Sequence, residues 1–164
     1  MELHGLIHVV SKEMKIFIAA FVVVLSVGYA SGLLFVGQTS STSPKGIQEN
    51  YLGNEEAEDA TVMKFKKGER EILTIIHTHI LSMSFIFAFL GLLLSMTSIN
   101  KRLKFFLMIE PFVSILVTFG GIYLMWKGFF WFKYIIVVSG TLMTFCYTLS
   151  SFFVLKSLFK KSNN

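Results

Sequence analysis

Two histidines inside an apolar stretch, His77 and His79, are the side chains in this sequence that are best suited to chemistry. Ionisable groups are costly within a membrane span, so their presence there indicates a function by default. A neutral imidazole is a good ligand for haem iron or copper, and a methionine thioether is a soft partner for either metal. The pair therefore favours a site that holds haem b or copper, for electron transfer or sensing.

The geometry of a helix divides the two histidines, because residues two apart point about 200° away from each other. His77 falls on the same stripe as a series of small residues, whereas His79 faces Met83. Met125, at the outer end of the third apolar stretch, is expected at the depth of His77. The expected cofactor ligands are thus His77, His79 and Met125, and the expected ligands of a bare metal ion are His77, His79 and Met83. In the alternative interpretation, both histidines bond to loop backbone or to Glu71.

A second ionisable group, Glu110, stands before Pro111 in the third apolar stretch. A proline there starts or kinks the helix, and the carboxyl group either titrates or pairs with Lys104 or Lys101. The sequence contains no Ser-His-Asp arrangement, no phosphate-binding loop and no cysteine-rich metal motif. An independent catalytic activity therefore has no support, and no catalytic residue is expected.

The elements that must position these groups are long apolar helices. The chain is 54% hydrophobic and 15% charged, a composition that favours lipid as its solvent. Its basic residues cluster at the ends of apolar stretches, so nucleic acid is not an expected partner. At about 1.5 Å per residue, four stretches are long enough to cross a hydrocarbon core of about 30 Å. They cover residues 16–37, 72–97, 105–125 and 134–155, with one long polar loop at 38–71.

These stretches predict an all-α fold, an integral membrane four-helix bundle that forms a single domain over residues 1–164. Its orientation follows from lysine and arginine in short flanking segments, which favour the cytoplasmic side. One side of the membrane receives Lys12, Lys15, Lys101, Arg102, Lys104, Lys156, Lys160 and Lys161. Both termini are therefore expected inside. The polar loop is expected to drape over the outer end of the bundle, with a short helix near Gly46–Tyr51.

Small residues at regular spacing predict which helix faces pack, because helices in lipid associate through close contact. Gly28 and Gly32 form a GxxxG pair in the first stretch. The other stretches contribute Ser84, Ala88, Gly91 and Ser95, then Ser114, Thr118, Gly120 and Gly121, and finally Gly140, Thr144, Thr148 and Ser151. These faces are expected to meet inside one compact bundle.

The outer loop and the second stretch together carry a distinctive pattern. It reads Thr42-Ser43-Pro44-Lys45-Gly46-Ile47, then Asn50-Tyr51-Leu52-Gly53-Asn54-Glu55, then Lys64-Phe65-Lys66-Lys67 and Glu71, and finally His77-Thr78-His79. The chain resembles small four-helix inner-membrane proteins of Gram-negative bacteria that pair a Ser-Pro-x-Gly-Ile and Tyr-x-Gly-Asn-Glu loop with a downstream His-x-His. The resemblance implies a multi-pass protein of the bacterial inner membrane, and it implies no reaction.

Three functions follow as hypotheses. The first is a membrane module that holds a haem or metal at His77 and His79. The second is a structural or assembly subunit of a larger membrane complex, which packs through its glycine faces and outer loop. The third is a binder of a lipid or another small molecule. The expected partners are the lipid bilayer and other membrane-protein subunits.

Overall fold

The computed structural model describes residues 5–39, 42–55 and 62–159. A 3₁₀ helix at Leu6–His8 precedes five α-helices: α1 (Lys12–Thr39), α2 (Pro44–Leu52), α3 (Glu69–Ser95), α4 (Lys101–Trp126) and α5 (Phe132–Phe159). Four of them, α1, α3, α4 and α5, are long and apolar enough to cross a membrane. The described residues form no strand. The predicted all-α membrane bundle is therefore confirmed.

Successive long helices run in opposite directions, so the bundle has two ends. We call the end that holds Lys12, Lys101 and Lys156 the inner end and the opposite one the outer end. The assignment of the inner end to the cytoplasm stays a prediction. Lys160 and Lys161, which contribute to that prediction, lie outside the described residues.

The antiparallel pair α4 and α5 forms the centre of the bundle. The two helices make the most extensive contact in the described structure, and α3 packs mainly on α4. Leu90, Ile115 and Cys146, one from each of these helices, are enclosed in the shared core. Pro111 is buried inside α4, which continues past it for another 15 residues to Trp126. The proline is thus accommodated within the helix and does not start it.

The outer end of α4 is fastened to the polar loop. The indole Nε1 of Trp126 donates a hydrogen bond to the carbonyl oxygen of Lys67 at 2.9 Å, and the backbone N–H of Lys67 donates to the carbonyl of Tyr51 at 3.1 Å. Lys133, at the start of α5, donates to the side chain of Gln48 at 2.7 Å. The loop therefore drapes over the outer end as predicted, and the predicted short helix is confirmed as α2.

Two capping groups set the bounds of α2. The hydroxyl of Ser43 accepts a hydrogen bond from the backbone N–H of Gly46 at 3.1 Å, and Pro44 occupies the first helical turn, where its missing N–H costs nothing. Gly53 ends the helix with a φ of 83°, a left-handed value that L side chains rarely adopt. Glycine is required there for a second reason. A Cβ atom at this position would lie 2.8 Å from the carbonyl oxygen of Lys64.

The first helix, α1, is attached to the bundle through the buried side chains of Ile18 and Val22 and through aromatic and hydroxyl groups. The ring of Tyr29 stacks on that of Tyr147 with centroids 3.9 Å apart, and its hydroxyl lies 3.2 Å from Thr144 Oγ1. The Tyr147 hydroxyl in turn lies 3.1 Å from Ser26 Oγ. Beyond this contact, residues 31–38 are all exposed.

The GxxxG pair of α1 does not pack against the other helices. A Cβ atom added to Gly28 or to Gly32 would meet nothing within 4 Å. The expectation that this pair faces the interior of the bundle is therefore wrong. Large aromatic rings, and not small residues, hold α1 to α5.

At the inner end, Lys104 closes the C-terminus of α3. Its ammonium group donates hydrogen bonds to the carbonyl oxygens of Ser95, at 3.0 Å, and of Thr97. A cation at this position is stabilised by the orphan carbonyls and the dipole at the end of the helix. The expected pairing of Glu110 with Lys104 or Lys101 is absent from the ion pairs of the described residues.

Gly53→Ala is expected to destabilise the outer loop by about 1–3 kcal/mol, because it adds a strained φ and a clash with the backbone of Lys64. Faster proteolysis of the loop in detergent-solubilised protein would reveal the loss. Gly68→Ala is the matched control, since Gly68 has an extended φ of −69° and open space around its Cα. Equal cleavage rates for the two variants would contradict this account of the turn.

Candidate functional site

The two histidines of α3 lie on its surface in the outer half of the bundle. His79 is exposed, its Nδ1 atom lies 2.7 Å from the carbonyl oxygen of Ile75, and its ring lies 5.1 Å from that of Phe119. His77 is also exposed and borders a shallow hollow made by α3 alone. The two imidazoles thus point to different surroundings, as the helical geometry predicts.

The structure does not gather the predicted ligands into one cluster. Met125 is fully buried in the core, whereas His77 is exposed and Met83 is half-buried. Among the described residues, no three His, Cys, Asp or Glu side chains lie close enough together to hold a metal ion. Glu71, the alternative partner of the histidines, pairs with Lys67.

An apolar groove runs along the seam between α4 and α5. It has a volume of about 660 Å³ and is open along one side. Val113 and Val138, on its two walls, have 54% and 67% of their surface exposed. The walls are Phe105, Phe106, Ile109, Val113 and Val117 from α4, and Tyr134, Ile135, Val138 and Leu142 from α5. We call this feature the α4–α5 groove.

The groove arises from the way in which α4 and α5 meet. At Gly121 the backbone of α4 comes so near α5 that an added Cβ atom would lie 3.1 Å from Cγ1 of Ile136. One turn further inward, the hydroxyls of Thr118 and Ser139 lie 2.7 Å apart. The small side chains of Ser114 and Ser139 line the groove between larger apolar side chains, so the space between α4 and α5 stays open here.

One carboxyl group, that of Glu110, lines this groove. Glu110 lies nine residues from the start of α4, which corresponds to a depth of about 13 Å. The hydroxyl of Ser114 donates a hydrogen bond to its Oε1 atom, and the thiol of Cys146 faces the carboxyl from α5. Within the described structure its Oε2 atom is buried and has no hydrogen-bond partner. Such an orphaned oxygen is expensive and therefore requires an explanation.

The sequence pointed to Glu110 but not to the groove. Ser114 and Thr118 stood out as small residues on a packing face, and they do line the α4–α5 contact. Whether such a face closes completely depends on the side chains of two helices that are far apart in sequence. The alternation of exposed valines with buried serines across both helices was the available signal.

Comparison with known proteins gives one match. A family model described as a transmembrane helical domain matches residues 41–164, which include α2 to α5 and leave α1 outside. No curated protein and no solved structure shows significant similarity to the chain.

Gly121→Val is expected to weaken the α4–α5 contact by about 1–3 kcal/mol, since its branched side chain would overlap Ile136. Gly120→Val supplies the control, because a Cβ atom at this adjacent position meets nothing within 4 Å. Thermal unfolding in detergent should show a lower midpoint for the first variant alone. A similar midpoint for both variants would show that the close approach at Gly121 is not required.

Proposed function

We propose that this small polytopic membrane protein, which belongs to the Aq_1264_TM family of transmembrane helical domains, binds a lipid or another lipophilic small molecule in the α4–α5 groove. It does so as a binding module without independent catalysis. The observation that supports this proposal is the groove itself, which is almost wholly apolar, open to the bilayer and enclosed by two helices. Ligand sites are typically concave and apolar with few polar groups.

The dimensions of the groove favour an extended chain as the ligand. The pairs Thr118–Ser139 and Gly121–Ile136 set the antiparallel register, which places Tyr134 near residue 123 of α4. From Phe105 to that level the walls extend over about 18 residues, or roughly 27 Å. A volume of about 660 Å³ spread over this length is sufficient for a narrow hydrocarbon chain.

Other hollows of the described structure are less suited to a lipophilic ligand. The hollow beside His77 is bordered by Glu69 and Arg70, and the one beneath α2 is bordered by Lys45, Glu49 and Lys66. Both lie at the outer end, among polar side chains. The α4–α5 groove, by contrast, runs along the apolar part of the bundle, where an acyl or isoprenoid chain arrives directly from the bilayer.

Val113→Trp is expected to reduce binding in the groove at least several-fold, because the indole fills the space between the two walls. The probe is a long-chain alcohol that carries a photoactivatable diazirine, reconstituted with the protein in vesicles. Mass spectrometry of the labelled peptides should place the cross-links of the unaltered protein preferentially on the groove walls.

Leu116→Trp is the matched control for this experiment. Leu116 is 63% exposed on α4, but it does not line the groove, so labelling of the groove should persist in this variant. Cross-links spread evenly over all lipid-facing surfaces, unchanged by Val113→Trp, would indicate ordinary contact with bulk lipid and reject the proposal.

A haem b or copper site at the histidines is a second candidate function, for electron transfer or sensing. The observation that favours it is the bond between His79 Nδ1 and the carbonyl of Ile75. Metal-ligating histidines commonly fix one ring nitrogen on a carbonyl and use the other for the metal. The proposed ligands are His77 and His79, with Met125 for haem or Met83 for a metal ion alone, and the binding would have to bring these separate side chains together. The assembly-subunit hypothesis stays a prediction.

Protein purified from its own membrane should show a Soret band or stoichiometric copper if this second candidate is right. His79→Ala should abolish the signal, because it removes the imidazole whose orientation is fixed. Ser82→Ala, one turn away on the same helix, should leave it intact. A colourless preparation without copper in elemental analysis would reject the haem and copper candidate.

A further inference from the structure

Lipid binding alone leaves the carboxyl group of Glu110 without a role. A groove for a neutral hydrocarbon chain needs no acid in its wall, and a buried carboxyl group is destabilising unless it is paired or neutralised. Here Ser114 satisfies Oε1, and within the described structure Oε2 has no partner. The Oε2 atom of Glu110 is therefore a polar atom beside the groove that an apolar ligand does not need.

No cation of the chain approaches Glu110 in the described structure. The ion pairs do not include it, and Lys104, on the same helix, is directed to the carbonyl oxygens of Ser95 and Thr97. Glu110 is the single charged residue of α4 between Phe105 and Trp126.

The neighbouring helices do not supply a counter-charge at this depth either. The sequence of α3 has no charged residue between His79 and Ser95, and that of α1 has none between Lys15 and Thr39. On α5, the titratable groups at this level are Cys146, which faces the carboxyl, and Tyr147, which stacks on Tyr29. None of the described residues therefore balances the charge of Glu110, which favours an occupant from outside the chain.

Two kinds of occupant meet this requirement. A proton neutralises the carboxyl directly. A cation with an apolar body satisfies both the carboxylate and the apolar walls, whereas a small metal ion needs several oxygen ligands and the groove offers a single carboxyl. Hydrated cations are also excluded, because an apolar wall gives them nothing in exchange for their water.

We propose that the α4–α5 groove takes a lipophilic organic cation, whose charge pairs with the carboxylate of Glu110. This inference rests on the proposed function, since it specifies the chemical class of ligand for the same groove. In the described structure the carboxyl of Glu110 faces Ser114 and Cys146, so the inference requires a change of its side-chain rotamer toward the ligand.

The volume of the groove is compatible with such a ligand. At about 660 Å³ it lies within the range of roughly 300–1,000 Å³ that is usual for small-molecule sites. The aromatic rings of Phe105, Phe106 and Tyr134 in its walls suit a cation with a delocalised or shielded charge, because their faces attract positive charge.

Equilibrium dialysis of the full-length protein in detergent against radiolabelled tetraphenylphosphonium tests this inference. The unaltered protein should bind the ion saturably. Glu110→Gln should lower the affinity at least tenfold, because it removes the negative charge that pairs with the cation. Glu110→Asp should retain part of the affinity, because it keeps a carboxyl at the same position.

Two controls separate loss of the ligand site from loss of the fold. Glu71→Gln removes a carboxyl at the outer end and should leave tetraphenylphosphonium binding unchanged. Val113→Trp keeps the carboxyl of Glu110 but fills the groove, so its expected loss of tetraphenylphosphonium binding tests the inference even if Glu110→Gln unfolds. Unchanged affinity in folded Glu110→Gln, or in Val113→Trp, would overturn the inference.

The diazirine alcohol distinguishes the two proposals. If the alcohol labels the groove in both the unaltered protein and Glu110→Gln, but tetraphenylphosphonium does not bind, the cation inference fails and the proposed lipid binding stands. If the cation binds through Glu110 and the alcohol labels all faces alike, the groove is a cation site and the proposed lipid binding fails. Loss of both signals rejects both proposals.

Discussion

The close contact of α4 with α5 at Gly121 is the constraint on which the rest of the structure depends. Lipid chains compete equally well for apolar side chains, so helices stay together in a bilayer only where their backbones come near or their polar groups bond. Gly121 against Ile136, and Thr118 against Ser139, provide both kinds of contact within one turn. The same fixed register determines where the two helices part and therefore where the α4–α5 groove opens.

Much of the fold could be predicted from the sequence, because a bilayer imposes simple rules on length and polarity. The apolar stretches became four long helices, and the short helix expected near Gly46–Tyr51 is present as α2. The packing of α1 could not be predicted in the same way. Its GxxxG pair is a local pattern, whereas the face that packs depends on the side chains of the neighbouring helices. In the described structure Tyr29 stacks on Tyr147, and Gly28 and Gly32 do not contact another helix.

The candidate site was predictable in its ingredients but not in its arrangement. His77, His79 and Glu110 all stand out as ionisable residues in apolar surroundings. The sequence does not show which of them borders a cavity, because that depends on residues more than twenty positions away, as Ser139 is from Thr118. Lys104 illustrates the same limit. It is near Glu110 in sequence, yet the free carbonyl groups at the end of α3 are a better partner for its ammonium group.

The exposed outer part of α1 divides this helix into two regions with different surroundings. Its inner part contributes Ile18 and Val22 to the core, whereas residues 31–38 are all exposed. The family match begins after α1, so the matched domain consists of α2 to α5 and the helix that precedes it is an addition to that domain. The added helix extends the shared core on one side and leaves its other end open to the surroundings of the bundle.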